Sequence, residues 1–466
     1  MTDSKRPARR LDPAQRLAAL DSVRSAKTEG LQRSAIAMTA HAAPPPSFED
    51  LEGFEAIRIQ QGIASSLGIA NPFYRLHDDR AGATSRIDGR DIVNFTSYDY
   101  LGLNGHPRIV DAVAQAAARW GTSVSASRLT SGERPVHRVL EGELARLYRA
   151  QSALTFVGGH ATNLAILGTV TGPRDLVLYD ELAHNSIFVG AQISGAQRMA
   201  FAHNDPDSLE RLLQQHRARH RHCLIVSEGL FSMDGDGPDL AKLVEIKARH
   251  RAWLMIDEAH SLGVLGKTGR GIFEEQGVDP QSVDIWMGTL SKTLVSCGGY
   301  VAGPAALIEF LKFQAPGMVY SVGLPPTAAV AATEALDLML AEPERVARLR
   351  TNGLRFLAAI RHAGFDPGAS WGLAVAPVFI GDSLQTVLLS ERMLERGFAA
   401  VPVFAPGVPE GEARLRFFLS ASHTDEQIGA VIEAMTGERR AVAETGLSVS
   451  RIAADAIRAR SQGGDV

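Results

Sequence analysis

Lys292 follows the apolar run Val283-Asp284-Ile285-Trp286-Met287, inside Thr289-Leu290-Ser291-Lys292-Thr293. The length and branched residues of that run predict a short buried strand. A lysine at the end of a buried strand costs free energy unless chemistry uses it. Burial lowers an amine's pKa and frees the neutral nucleophile, so Schiff-base formation is the chemistry that suits it. From this stretch alone, a surface lysine in a turn fits as well. Upstream, Trp253-Leu254-Met255-Ile256 is another buried-strand run, and it delivers Asp257-Glu258-Ala259-His260 at its carboxyl end. Ligands of open α/β sheets gather outside the carboxyl ends of the strands.

An aspartate there, a lysine at a neighbouring strand end and pyridoxal phosphate between them make a coherent set. The carboxylate would keep the pyridine nitrogen protonated, and the ring would then act as an electron sink for a carbanion at a substrate's Cα. On these residues the chain resembles the fold-type I pyridoxal-phosphate enzymes, and more narrowly the α-oxoamine synthases. The resemblance runs from about Asn94 to about Ala434. It implies an α/β fold, with a mostly parallel sheet between helices in a large domain and a smaller C-terminal α+β domain. It also implies an acyltransferase that works as a homodimer.

The elements that must position these groups follow from pattern. Strands alternating with helices from about 150 to 303 predict a parallel-dominated sheet with helices on both faces. Arg86 to Phe95 reads as a hairpin turned at Asp88-Gly89, and Pro107 to Trp120 as a helix opened by its proline. Val136, Leu140, Leu144, Leu147 and Tyr148 keep the spacing of a half-buried helix. Phe54 to Leu67 reads as an amphipathic helix. Glu342-Pro343-Glu344 marks a domain boundary, followed by strands near 375–380, 401 and 415–420 and a helix over 383–396. The expected organisation is a disordered or partner-bound basic extension over 1–46 and a helix-and-hairpin segment over 47–93. A large cofactor-binding domain over 94–342, a small domain over 343–437 and a helical tail over 438–466 complete it.

Phe156-Val157-Gly158-Gly159-His160-Ala161-Thr162-Asn163 puts glycines before an apolar helix, where N–H groups and the helix dipole favour a phosphate. By the resemblance, Gly159 and His160 bind the cofactor phosphate, with His160 replacing an aromatic residue. His184 would stack on the pyridine ring, Ser232 and His260 would lie at its phenolic oxygen, and Thr289 joins this cofactor-binding set. Ser321, in Tyr320-Ser321-Val322-Gly323, would reach across a dimer interface to the second cofactor's phosphate. Several members carry Thr-Ser where Val322-Gly323 stands, which leaves Ser321 as the candidate. Arg416, in Ala413-Arg414-Leu415-Arg416-Phe417, would hold the amino-acid carboxylate as a bidentate pair. Without the resemblance, a solvated edge strand would explain both arginines equally well. Tyr98, where many members have Asn, and Ser127, in the Ser/Gly loop 121–128, complete the substrate side.

Composition bounds the rest. The 466 residues carry a net charge of −4, which gives no reason to propose a nucleic-acid partner. Lys5-Arg6 and Arg9-Arg10 read as a solvated tail. Cys223 and Cys297 are far apart without ligand-like spacing, against a disulfide framework or metal site and in keeping with a cytoplasmic protein. Both are expected to pack, with Cys297 close enough to Lys292 to line the cofactor site. No apolar run of about 18 residues exists to span a membrane; a peripheral membrane contact stays open.

The implied reaction is a decarboxylative condensation. Lys292 holds the cofactor and then acts as base at Cα, Asp257 sustains the electron sink, and His184 polarises an acyl thioester's carbonyl. An aminoketone, carbon dioxide and a free thiol result. Phe404 stands where 8-amino-7-oxononanoate synthases carry an arginine for the far carboxylate. With Tyr98 and the Ser420–Thr424 segment, this favours serine and a long uncharged acyl chain on coenzyme A or an acyl carrier protein, giving a product such as 3-ketosphinganine. The alternatives are an 8-amino-7-oxononanoate synthase or a glycine- or alanine-using synthase of a secondary-metabolite pathway and, further off, a fold-type I aminotransferase.

Overall fold

The computed structural model describes residues 47–451, apart from 52, 56, 59, 60, 63–70, 406 and 450. Expectations for 1–46, for the first helix beyond Gly62 and for the tail beyond Arg451 lie outside them. The described residues fall into two units that divide between Asn71 and Pro72. In the first, Ser47 and Asp50 form a capping box on a single turn, Phe48–Asp50, and the described residues from 54 to 62 are helical. The second carries everything that follows.

Asp88 and Gly89 turn the expected hairpin, between β1 (Thr84–Ile87) and β2 (Arg90–Asn94). Both have positive φ, 50° and 72°, as the tight two-residue hairpin turn that matches strand twist requires. Helix α1 (Pro107–Trp120) begins at its proline, and α2 (Pro135–Leu147) buries Leu140, Leu144 and Leu147 on one side.

The large sheet holds β3 (Ser152–Phe156), β4 (Leu176–Asp180), β5 (Gln197–Phe201), β6 (Cys223–Glu228), β7 (Trp253–Asp257), β8 (Ile285–Thr289) and β9 (Gly299–Gly303). Their order is β3-β9-β8-β7-β6-β4-β5. Neighbours from β5 to β8 run parallel, and β9 is antiparallel to both β8 and β3. Alternation sorts the central strands onto two cores. Leu178, Ile225, Leu254 and Ile256 enter one, while Val177, Leu224, Val226 and Met255 enter the other. Such strands need cover on both faces, and helices supply it. Each fully buried aliphatic side chain contributes about 1.5–3 kcal/mol.

The C-terminal part contains β10 (Val375–Gly381), β11 (Phe398–Ala399), β12 (Val401–Val403) and β13 (Ala413–Phe418). β13 lies between β10 and β12, so the arginine-bearing strand is central, not a solvated edge. β11 instead pairs with β2, extending the N-terminal hairpin.

Candidate active site

Four neighbouring strands deliver a polar group at or near their carboxyl ends: Asp180 from β4, Glu228 from β6, Asp257 from β7 and Thr289 from β8. The chain reverses direction through the sheet at β4, which has β5 on one side and β6 on the other. A crevice at that edge is where open α/β sheets bind ligands. Here it is a cavity of about 130 Å³, with Gly159, Asn163, His184, Asp257, His260 and Lys292 in its walls.

Lys292 is half-buried and its ammonium makes no hydrogen bond or ion pair among the described residues. Burial pulls its pKa below the ordinary 10.5; Asp257 and Glu228 oppose the shift, and Arg416 adds to it. Its Nζ lies 5.6 Å from the centroid of the Tyr98 ring. Asp257 is buried, and accepts from the Ala259 N–H and from Asn163 Nδ2, each at 2.9 Å.

Helix α3 (Gly159–Val170) starts without a side-chain cap, so its first N–H groups are free for an anion. A Cβ on Gly159 would come within 2.9 Å of Thr289 Oγ1, so only glycine lets the helix start lie against the end of β8. His160 is exposed at this point, its ring 6.3 Å from that of His184. His184 caps α4 (Asn185–Ile193): its Nδ1 accepts from Ser186 N–H and contacts Ser186 Oγ at 2.7 Å. Burial lowers the pKa of His184, which keeps the imidazole neutral.

His260 is fully buried, with its Nδ1 2.7 Å from Tyr100 Oη, and burial drives its pKa far below the usual histidine value. Glu228 accepts the His184 N–H at 2.6 Å; its burial, with Asp257 beside it, pushes its pKa well up.

The two arginines of β13 differ sharply. Arg414 is buried against Asp234 at 2.8 Å and lies over the Phe379 ring. Arg416 meets no carboxylate among the described residues. It donates to the Ser232 carbonyl at 3.1 Å, contacts Met233 Sδ, and leaves its buried Nε without a partner. Tyr98 and Tyr100 adjoin it, and its charge reaches Lys292 and His260. It is a buried guanidinium with no carboxylate partner among the described residues.

The expected residues do not all converge. Gly159, His160, His184, Asp257, His260, Thr289 and Lys292 line one cavity, and Tyr98 and Arg416 adjoin it. Ser127 does not: its hydroxyl donates to the Val319 carbonyl at 2.8 Å and it caps the following turn. Ser232 contributes its carbonyl to Arg416, while Ser321 lies half-buried in the loop before the helix Pro326–Ala341, outside that cavity. Cys223 is buried as expected, its thiol pushed up to about 12. Cys297 is exposed rather than packed, and does not line the cavity, since its Sγ faces the Val157 carbonyl at 3.8 Å. Sequence reasoning overlooked Asn163, Ser186, Glu228 and Tyr100. Asn163 left a usable signal: an amide one helical turn beyond Gly159 in a mostly apolar helix.

An uncapped helix start, a buried carboxylate, an unpaired amine and a neutral histidine fit pyridoxal phosphate. The first could hold its phosphate, Asp257 its ring nitrogen and Lys292 its aldehyde carbon. The sequence profile of the class I and II aminotransferases matches residues 90–435. A putative 8-amino-7-oxononanoate synthase from Desulforudis audaxviator is 40% identical over 349 residues, which cover 75% of this chain and 90% of that protein. The 8-amino-7-oxononanoate synthase of Methylococcus capsulatus is 42% identical over 349 residues, 75% of this chain and 89% of its own. The structure of Sphingomonas wittichii serine palmitoyltransferase superposes with a TM-score of 0.81 at 28% identity, covering 85% of this chain and 99% of that one.

The chain therefore belongs to the class I and II aminotransferase family and has the fold-type I architecture of pyridoxal-phosphate enzymes. Within that class it is a pyridoxal-phosphate-dependent α-oxoamine synthase, the group to which these relatives belong.

Proposed function

We propose that this enzyme joins a small α-amino acid, alanine first among them, to an acyl thioester, in the manner of an 8-amino-7-oxononanoate synthase. The observation that carries the reading is Arg416, a cation without a carboxylate partner among the described residues, whose charge reaches the half-buried amine of Lys292. An amino acid's carboxylate would satisfy it as a charge-assisted pair. Bound pyridoxal phosphate supplies the electron sink that makes the Cα proton removable.

Lys292, whose burial lowers its pKa and eases loss of its proton, takes that proton, and Asp257 would hold the cofactor's ring nitrogen. His184 donates from Nε2 to the thioester carbonyl oxygen as it gains charge. The new bond joins Cα to the acyl carbon, the thiolate leaves and takes a proton, and the carboxylate departs as carbon dioxide. One proton from solvent balances the product. Neutral His260, held by Tyr100, keeps its side of the cavity uncharged.

The name of the relatives supports alanine and a seven-carbon, carboxylate-ended acyl group, because those fragments compose 8-amino-7-oxononanoate. That favours the alternative reading over serine palmitoyltransfer. A second reading, serine with a long uncharged chain, draws on Phe404, whose ring stacks on Phe73 at 5.6 Å where the family's arginine was expected. The test offers alanine, glycine and serine with pimeloyl, acetyl, succinyl and palmitoyl thioesters, following thiol and carbon dioxide release. Keto-acid formation without carbon dioxide would point to transamination and overturn both readings.

A further inference from the structure

We propose that the acyl tail of the thioester extends from Lys292 through two neighbouring pockets, and that Arg75, in the wall of the second and ion-paired with Glu391 behind it, selects the tail's end group. The proposal rests on the condensation reading above. A vestibule of about 390 Å³ opens beside Ser291 and Lys292, with Tyr98 and Asn104 in its walls. Those same two residues, Ser291 and Lys292, also line the cofactor cavity. Beyond lies a chamber of about 250 Å³, walled by Phe73, Ile87, Leu394, Ala399 and Val401. His77 and Thr96 belong to both walls, so the two spaces adjoin there. A chain whose carbonyl carbon reacts beside Lys292 would extend past these two residues into the more apolar pocket.

The walls change character along that route. The vestibule carries Asp79, Asn104 and Ser296, whereas the inner chamber is mainly aliphatic and aromatic. At the junction, His77 Nδ1 is 2.9 Å from Ser85 Oγ, and Thr96 Oγ1 donates to Asn94 Oδ1 at 2.6 Å. Both junction side chains thus have polar partners of their own. Each methylene buried there gains about fourfold in affinity.

Arg75 is the only lysine or arginine among the described residues of the inner chamber, and it is ion-paired with Glu391. A paired guanidinium offers little net attraction to a further carboxylate, whereas an unpaired one binds it strongly. A methyl-ended tail would pack beside the pair without disturbing it. A carboxylate-ended tail would have to share Arg75 with Glu391, as Glu133 and Glu141 share Arg128 elsewhere in this chain. The pair therefore grades the two tails, and Glu391 sets the grading.

The experiment compares heptanoyl and pimeloyl groups, equal in length and different only in the end group. Uncleavable thioether analogues on pantetheine are titrated into the cofactor-loaded enzyme by calorimetry, and kcat/KM is measured for the matching thioesters. Glu391→Gln is expected to move the pimeloyl-to-heptanoyl ratio at least about tenfold toward pimeloyl, the effect of a hydrogen bond to a charged group. Val401→Phe, which narrows the chamber, should weaken both analogues about tenfold while leaving the acetyl analogue unchanged. Phe73→Ala, at a partly exposed position, provides a second wall variant if Val401→Phe does not fold, and should also weaken both long tails. Ratios within about threefold of the parent in folded variants would place the tail elsewhere and overturn the proposal. Failure of the parent enzyme to release thiol from any thioester would overturn the reaction reading instead, and the titration would still decide the chamber.

Discussion

Asn163 donates one amide hydrogen to Asp257 Oδ2 across 2.9 Å in the buried floor of the site. Its other amide hydrogen goes to Ser186 Oγ, also at 2.9 Å. Ser186 Oγ therefore accepts from Asn163 and gives its own proton to His184 Nδ1, 2.7 Å away. With Nδ1 accepting, neutral His184 carries its proton on Nε2. One amide thus holds the carboxylate and, through a serine, fixes the tautomer of the histidine.

Replacing Asn163 with Ala should break both functions. Turnover is expected to fall about ten- to a hundredfold, since each lost hydrogen bond to a charged or coupled group costs about 1.5–3 kcal/mol. The absorbance of the bound cofactor should titrate differently with pH in the variant. An unchanged titration, with activity intact, would show that Asp257 needs no such support.

Lys292→Ala should abolish turnover, yet the protein should still take up cofactor through the Gly159 turn and Asp257. The lysine also has a thermodynamic signature in the cofactor-free protein. Its folded pKa lies below 10.5, so between the depressed value and 10.5 the unfolded chain binds a proton that the folded one lacks. Stability should rise with pH across that window. Urea unfolding at several pH values should reveal this rise in the parent and its absence in Lys292→Met.

Glu258 gives the opposite slope. It is fully buried, accepts the Ile272 N–H at 3.1 Å, and burial pushes it up to about 8 from an ordinary 4.5. Between those values the folded protein holds a proton that the unfolded chain has released, so this group's contribution to stability falls as pH rises from 4.5 to about 8. Glu258→Gln should flatten the decline of melting temperature over that range.

The two β13 arginines should separate by assay. Arg416→Ala is expected to raise the KM for the amino acid at least about tenfold, with little change in unfolding, because no carboxylate among the described residues depends on it. Arg414→Ala leaves Asp234 partly buried without its partner and should cost about 3–5 kcal/mol in stability. Equal effects on KM from both would dismiss Arg416 as the carboxylate holder.

If two chains share their sites through the 320–325 loop, inactive subunits should complement. Mixing Lys292→Ala chains with Ser321→Ala chains after unfolding and refolding should restore a fraction of sites of parental activity. A fully active monomer in sedimentation would exclude the arrangement.

The sequence alone determined the periodic parts of this protein. Strand runs such as 223–227 and 253–256, the Asp88-Gly89 turn and the proline-opened helix at 107 all obey local rules of burial, twist and backbone freedom. Lys292, Asp257 and Gly159 were legible because each stands at the end of an element, where the position is set by a few neighbours. The tertiary structure decided how distant side chains are paired. Arg414 and Arg416 read alike in sequence, yet Asp234, on a loop 180 positions away, pairs with one, while the other meets no carboxylate among the described residues. Ser127 looked suited to a substrate pocket until the Val319 carbonyl took its hydroxyl. Asn163 gained its role only when β7 brought Asp257 beside α3. Hydrogen-bond partners across such separations depend on how layers pack, and no local pattern in the chain encodes that choice.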